Sequence, residues 1–108
     1  MSPKKRVPAF CDYETFWDVK YTLKQLSTTD YVHDERFSIH GASCAIADEK
    51  PYWLRGLDLE RWLIEAMEGE RLFVAHHTLF DGYVTRHSHG LVFPDYFCTM
   101  GMIEALFQ

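Results

Sequence analysis

Cysteines are few in this chain of 108 residues, and their spacing excludes two common ways of stabilising a small protein. Cys11, Cys44 and Cys98 are odd in number and form no Cys-x-x-Cys pair. Neither a disulfide framework nor a zinc ribbon is therefore predicted. Free thiols are typical of a reducing compartment, so we expect a cytoplasmic protein.

Long apolar runs and the common catalytic motifs are also missing. No stretch approaches the roughly 20 apolar residues of a membrane helix, and the N-terminus does not resemble a signal peptide. No glycine-rich phosphate loop and no Gly-x-Ser-x-Gly motif occurs. Paired carboxylates are predicted only on the outer face of one helix, where we interpret them as solvated. They are Glu60, Glu65 and Glu68.

The composition nevertheless predicts a packed core, since hydrophobic residues make up 47% of the chain and aromatic residues 16%. A disordered chain would be less apolar. We predict a flexible basic arm at 1–8, a single domain at 9–103, and a remnant of tag cleavage at 104–108. This last segment resembles what a viral cysteine protease leaves behind when it removes a purification tag.

The apolar spacing predicts two helices. Asp12 is expected to cap a helix from Tyr13 to Leu26, and Asp58 a second one that ends at Gly69. The second helix has the clearer apolar stripe, with Leu57 before it as a hydrophobic staple on Trp62. The stripe consists of Leu59, Trp62, Leu63, Ala66 and Met67.

Two hairpins are predicted between and after these helices. The first joins strands 36–40 and 43–48 at Gly41-Ala42, and the second joins RLFVAHHTLF to YVTRHSHGLVF at Asp81-Gly82. Pro94 is expected to end the sheet before a short helix from Tyr96 to Ile103. The predicted fold is therefore α+β, in the order helix–hairpin–helix–hairpin, with one antiparallel sheet packed against the helices.

Histidines form the one predicted chemical cluster. A two-residue turn at Asp81-Gly82 would place His76 opposite His87, with His89 on the same face. Three such imidazoles can hold zinc or iron and leave a position for water. The segment His87-Ser88-His89 resembles the His-Ser-His of deubiquitinase metalloproteases, but Gly90 replaces that family's proline and the downstream aspartate is missing. We therefore assign no family.

The favoured function is a non-enzymatic protein-binding module without a cofactor: an adaptor, chaperone or inhibitor of the kind that phages and mobile elements encode. Tyrosine and tryptophan dominate binding hot spots, and the partner is expected to be another protein or a second copy of the chain. The predicted anchors are Tyr52, Trp53, Tyr83 and Tyr96. The zinc or iron enzyme is the alternative.

Nucleic-acid binding is a third hypothesis, because basic residues interleaved with aromatic ones can stack on and neutralise a single strand. The net charge of −5 disfavours it, since the field of the whole protein repels nucleic acid at long range. Its residues would be Lys4, Lys5, Arg6, Lys20 and Lys24.

Overall fold

The computed structural model describes residues 6–99, which form a five-stranded mixed sheet and three helices. The α+β class is confirmed, whereas the helix–hairpin–helix–hairpin order and the purely antiparallel sheet are wrong. In chain order the elements are β1 (Pro8–Thr15), α1 (Thr28–His33), β2 (Ile39–Ile46), β3 (Tyr52–Leu54), α2 (Gly56–Glu68), β4 (Leu72–Ala75), α3 (Thr78–His89) and β5 (Asp95–Cys98).

The strands lie in the order β3-β2-β1-β4-β5, so β1 is the central strand. β2 is antiparallel to both of its neighbours, β1 and β3, while β1, β4 and β5 run parallel. Parallel neighbours need a crossover connection. α2 lies in the connection to β4, and α3 lies in the connection from β4 to β5.

β1 occupies part of the predicted first helix, and it has the period of two that a half-buried strand requires. Ala9, Cys11 and Tyr13 are buried, while Phe10 and Asp12 between them are exposed. The predicted helix at 13–26 is wrong because β1 extends to Thr15 and an irregular segment follows it. Its apolar residues spaced three and four apart do not form a buried stripe.

β2 is one continuous strand where a hairpin was predicted. It runs through Gly41 and Ala42, so the predicted turn at these residues is wrong. The glycine is required by the neighbouring strand, since a Cβ at position 41 would lie 2.4 Å from Trp53 Cζ2 and 2.7 Å from the Leu54 carbonyl oxygen. Gly41 therefore permits close pairing with β3.

α3 replaces the predicted second hairpin, and Asp81-Gly82 lies in its first two turns. The buried residues Phe80, Asp81, Val84 and Thr85 recur at helical spacing, which fixes the face that α3 turns toward the core. The helix ends at Gly90, which has a left-handed conformation with φ 67°. The Asp81-Gly82 hairpin register is wrong.

α2 is the element that the sequence predicts best. Leu59, Trp62, Leu63 and Ala66 are its buried residues, as expected. Its ends differ from the prediction. Asp58 lies within the first turn of α2 and is not the N-cap residue, and Gly69 does not adopt the left-handed conformation. Leu57 is 75% exposed, so the predicted packing of this side chain on Trp62 is also wrong.

The C-terminal prediction is overturned where the structure describes it. Residues 95–98 form β5, so the helix predicted from Tyr96 does not begin there. The rest of that predicted helix, the predicted tag remnant at 104–108 and residues 1–5 of the predicted basic arm lie outside the described residues. The domain limits stay a prediction. None of the helices within residues 6–99 has the length and apolar character needed to cross a bilayer.

The core lies on one face of the sheet, between the strands and the three helices. Inward residues of β1, β2 and β4 form one buried cluster with residues of α1, α2 and α3. The opposite side of the sheet, which we call the open face, carries the alternate residues of the same strands. Across four strands, these include Ala45, Phe10, Val74 and Phe97.

Candidate carboxylate site

The connections of the sheet diverge between β1 and β4. From β1 the chain continues to β2 on one side, and from β4 it continues to β5 on the other. In open sheets such a switch point leaves a crevice outside the carboxyl ends of the parallel strands, where ligands bind. The carboxyl end of β1 is therefore the first place to look for a site.

Two acidic residues lie at this end of β1. Asp12 and Glu14 are two positions apart, so their side chains project from the same face of the strand. Both are exposed, whereas Tyr13 between them is buried on the other face. The Asp-x-Glu sequence thus presents two carboxylates beside the crevice.

A third acidic residue, Asp81, is brought to β1 by α3. Its side chain is only 5% exposed, and its Oδ1 accepts a hydrogen bond of 3.3 Å from the backbone N–H of Tyr13. β4 pairs with β1 only as far as Phe10. The N–H of Tyr13 therefore lies beyond that ladder, and Asp81 supplies its acceptor.

A buried hydroxyl network fixes this contact. The hydroxyls of Tyr13 and Thr85 lie 2.7 Å apart, and Thr85 Oγ1 donates to the backbone carbonyl of Asp81 at 2.8 Å. Tyr13 thus makes hydrogen bonds to α3 through its backbone N–H and through its side-chain hydroxyl. This arrangement holds the Asp81 carboxyl in one position against the central strand.

The surroundings of Asp81 disfavour its charge. Burial, together with the negative charge of Asp12, raises the pKa of Asp81 from 3.8 to about 7, although the Tyr13 N–H acts in the opposite direction. Desolvation is the larger cause. A buried carboxyl whose pKa is raised by desolvation and by a specific charged neighbour is a candidate functional residue.

These oxygen donors suit a hard divalent cation. Mg²⁺ is usually held by one or two carboxylates, with water and substrate phosphate in its other positions. Among residues 6–99 no group of three or more His, Cys, Asp or Glu side chains is placed to hold a metal ion. Asp12 and Glu14 project from the open face of β1, whereas Asp81 reaches the Tyr13 N–H from α3 on the core side, where the charge of Asp12 still acts on it. The arrangement fits a site of the open kind at the edge of β1, with Asp12 and Asp81 as its pair.

A pocket of about 420 Å³ adjoins the same end of β1. Thr15 and Phe80, which are sequence neighbours of Glu14 and Asp81, line it together with Trp17 and Lys24. Trp17 is 69% exposed. An exposed aromatic ring beside a lysine can stack on a nucleobase while the ammonium contacts phosphate.

The predicted histidine cluster loses its geometric basis, because the hairpin that would assemble it is absent. His76 follows β4, and its Nδ1 lies 2.9 Å from the Thr99 hydroxyl oxygen. His87 and His89 are near the end of α3. The structure does not bring these three imidazoles together.

Each of the two helical histidines has its own surroundings. The His87 ring lies 4.4 Å from that of His33, centroid to centroid, in an edge arrangement. His89 Nδ1 is 3.6 Å from Glu60 Oε1, and its ring stacks on Tyr13. These contacts join α3 to α1, α2 and β1, which explains the two histidines as packing residues.

The four predicted aromatic anchors lie in two separate places, at opposite edges of the sheet. Tyr52 and Trp53 belong to the edge strand β3, and the Tyr52 hydroxyl oxygen accepts a hydrogen bond from Trp62 Nε1. Tyr96 is on the opposite edge strand, where it lines a groove with Tyr83 of α3. They do not form one surface.

The basic residues of the nucleic-acid hypothesis are also dispersed. Lys4 and Lys5 lie outside the described residues, and Arg6 donates a hydrogen bond to the Glu70 carbonyl oxygen at 3.1 Å. Lys20 and Lys24 are exposed near Trp17. Only Lys24 lines the pocket beside the carboxylates.

Sequence reasoning missed the carboxylate site, because it assigned Asp12 to a helix cap and Asp81 to a turn. One signal was present for the first pair: residues 11–14, Cys-Asp-Tyr-Glu, alternate apolar and acidic side chains, which places Asp12 and Glu14 on one strand face. For Asp81 the signal was the spacing of apolar residues around it at helical intervals.

Comparisons with protein-family models, with curated proteins and with solved structures find no match to this chain. Its function is therefore inferred from the geometry of the site.

Proposed function

We propose that this chain hydrolyses phosphodiester bonds of single-stranded nucleic acid with divalent cations held at Asp12 and Asp81, near Glu14. The observation that carries the proposal is the buried Asp81 carboxyl, placed beside Asp12 at the switch point of the sheet. Natural sequences accept such a costly arrangement at sites where it serves function.

A cation would remove the electrostatic cost of this arrangement. Its positive charge favours the ionised form of Asp81, which burial and Asp12 disfavour in the free protein. A Mg²⁺ or Mn²⁺ ion held by Asp12 and Asp81 would polarise a phosphoryl oxygen and activate water. The chain's own part is to orient the carboxylates through the Tyr13–Thr85 network.

The pocket beside the site supports nucleic acid as the substrate. Trp17 offers a stacking surface, and Lys24 offers a positive charge, next to the residues that flank Glu14 and Asp81. The protein as a whole is acidic, with a net charge of −5. Bound cations would therefore be needed to bring phosphate to this crevice, which fits their proposed role.

The test is cleavage of a labelled single-stranded oligonucleotide by chelator-treated protein to which Mn²⁺ or Mg²⁺ is returned. We expect metal-dependent cleavage that Asp12→Asn and Asp81→Asn each reduce by more than about a hundredfold. Asp48→Asn, in an exposed loop, is the matched control and should retain the activity. Cleavage that persists with chelator or in Asp12→Asn would contradict the proposal, as would no cleavage with added metal.

Protein binding is the second candidate function, and an apolar groove between α3 and β5 favours it. Leu79 is 71% exposed and Val92 57%, and both line the groove with Tyr83 and Tyr96. Exposed apolar grooves with tyrosines often bind proteins.

A second copy of the chain is the partner that can be tested directly. Sedimentation should show a dimer that Leu79→Glu abolishes and Leu57→Glu does not. A monomer at every concentration would exclude this form of the hypothesis.

A further inference from the structure

A group of polar side chains on α1 and α3 has no part in the proposed carboxylate site. His33 is the last residue of α1, while Tyr83, Arg86 and His87 are not among the residues that α3 buries. We call these four residues the His–Arg cluster. The ring centroids of His33 and His87 are 4.4 Å apart, and His33 Nε2 lies 2.8 Å from the Tyr83 hydroxyl oxygen. The contacts that pack α1 on α3 therefore also gather these side chains.

The His–Arg cluster contains an arginine that is available to a ligand. Tyr83, Arg86 and His87 line an open pocket of about 420 Å³. Arg86 is exposed, and within the described part of the chain its guanidinium forms no ion pair. Asp34, the acidic residue that follows α1, is held by Arg36 through two bonds of 2.8 and 2.9 Å. The positive charge of Arg86 is therefore free to bind an anion in this pocket.

The other members of the cluster supply hydrogen-bond donors. A neutral imidazole carries one N–H and a phenol one O–H. One of these two protons lies in the contact between His33 and Tyr83. The other remains free, on His33 Nδ1 or on the Tyr83 oxygen, whichever group donates in that contact. The His87 ring makes only ring contacts within residues 6–99, so its N–H is free as well. The cluster therefore offers two free donors beside the charge of Arg86.

The nearby end of α3 opposes an anion only weakly. The last carbonyl groups of a helix carry partial negative charge. Here the carbonyl oxygens of Arg86 and Thr85 accept hydrogen bonds from the N–H groups of Gly90 and Leu91, at 3.0 and 3.5 Å. These bonds satisfy the carbonyl groups within the chain. Their partial charge is thus partly offset before a ligand binds.

We propose that the His–Arg cluster binds a phosphate monoester. A guanidinium presents paired N–H groups that match two phosphate oxygens, and a monoester has a third oxygen for the imidazole and phenol donors and carries about two negative charges. A metal ion fits the cluster less well, since two imidazoles are fewer than the three protein ligands of a catalytic zinc site and the charge of Arg86 would repel it. The proposal uses neither Asp12 nor Asp81, so it can fail without affecting the proposed nuclease activity.

The first experiment is a titration of the full, chelator-treated chain with inorganic phosphate, at constant pH and ionic strength, followed by NMR of the histidine rings. We expect saturable shifts of the His33 and His87 resonances and little change at His40, which is exposed on β2. Arg86→Gln should weaken the binding by at least about tenfold, because its charge-assisted bonds are lost. Arg61→Gln, which removes an exposed arginine of α2, is the matched control and should bind as the wild type does. Shifts that do not saturate, or equal binding by Arg86→Gln, would overturn the proposal.

A second titration identifies the source of the phosphate. Adenosine monophosphate is compared with adenosine, and a 5′-phosphorylated oligothymidylate with the same strand ending in a hydroxyl, all without added metal. We expect a terminal phosphate to strengthen binding by at least about tenfold, and Arg86→Gln to remove this gain. A gain for the mononucleotide alone would assign the site to free nucleotides, and a gain for the oligonucleotide would assign it to the ends of nucleic acid. No gain in either pair, or a gain that persists in Arg86→Gln, would overturn the proposal.

Discussion

Asp81→Asn should stabilise this protein at neutral pH, even though it removes a residue of the proposed site. Burial and Asp12 raise the pKa of Asp81 from 3.8 to about 7. The folded protein therefore binds the Asp81 proton more tightly than the unfolded chain does. Its stability must fall as the pH rises through this range, because folding at higher pH requires a buried charge.

The size of the effect follows from the difference between the two pKa values. That difference is about three pH units, and each corresponds to about 1.36 kcal/mol. Ionised Asp81 thus costs the folded state about 4 kcal/mol above its folded pKa and nothing below its unfolded one. Asparagine carries no charge at either pH and retains an oxygen for the Tyr13 N–H.

The assay is urea unfolding followed by tryptophan fluorescence, with chelator present, from about pH 4 to about pH 8. The free energy of unfolding of the two proteins should agree near pH 4, and the variant's advantage should grow toward about 4 kcal/mol by pH 8. Asp48→Asn is the control, since it removes an exposed charge of the same kind. Parallel pH profiles for wild type and Asp81→Asn would refute this reasoning.

Four further outcomes are expected. Asp12→Asn should lower the pKa of Asp81 and flatten part of the pH profile, and an unchanged profile would remove Asp12 as a cause. Phe73→Ala should lower the free energy of unfolding by about 3–5 kcal/mol, because this fully buried ring packs against the Phe93 ring with their centroids 5.0 Å apart. A loss below about 1 kcal/mol would contradict this close packing. Gly41→Ala should lower the free energy of unfolding by about 1–3 kcal/mol, because the added Cβ would clash with Trp53 and the Leu54 carbonyl oxygen. An unchanged midpoint of urea unfolding would contradict this close strand pairing. Trp17→Ala should leave stability within about 0.5 kcal/mol but weaken oligonucleotide binding by about 1–3 kcal/mol, and unchanged binding would exclude its stacking role.

The sequence predicts an element correctly where its local signals agree with one another. α2 was found because its apolar stripe and its length agree, and its four buried residues are those predicted. β1 was missed because Asp12 also resembles a helix cap, and the apolar residues after Thr15 happen to recur at helical intervals. Its own alternation of apolar and acidic residues is confined to residues 11–14, because Ala9, Phe10 and Cys11 are all apolar, and so short an alternation did not outweigh the helical signals.

α3 was missed for a different reason. Asp-Gly between apolar runs is a strong local hairpin signal, but β4 pairs in parallel with both neighbours and needs a crossover helix. Tertiary context therefore decides the conformation of Asp81 and Gly82. The glycine also suits its place, because a Cβ there would lie 3.3 Å from the Tyr96 ring.

The candidate site depends on β1 and α3, so it could not be predicted while both elements were assigned wrongly. Asp12 and Asp81 are far apart in the chain, and only the β1–α3 contact joins them. The predicted histidine cluster lost its geometric basis for the same reason, because it required the hairpin that α3 replaces. The wrong assignments of Asp12 to a helix cap and of Asp81-Gly82 to a turn therefore hid the carboxylate site and produced the predicted histidine cluster.

The most direct test of the account is Mn²⁺ binding, measured by electron paramagnetic resonance on chelator-treated protein, with Asp12→Asn, Asp81→Asn and Asp48→Asn beside the wild type. The account predicts saturable binding by the wild type and the Asp48→Asn control, and binding weaker by at least about tenfold in the other two variants. Absence of binding, or equal binding by all four proteins, would contradict a cation site at Asp12 and Asp81.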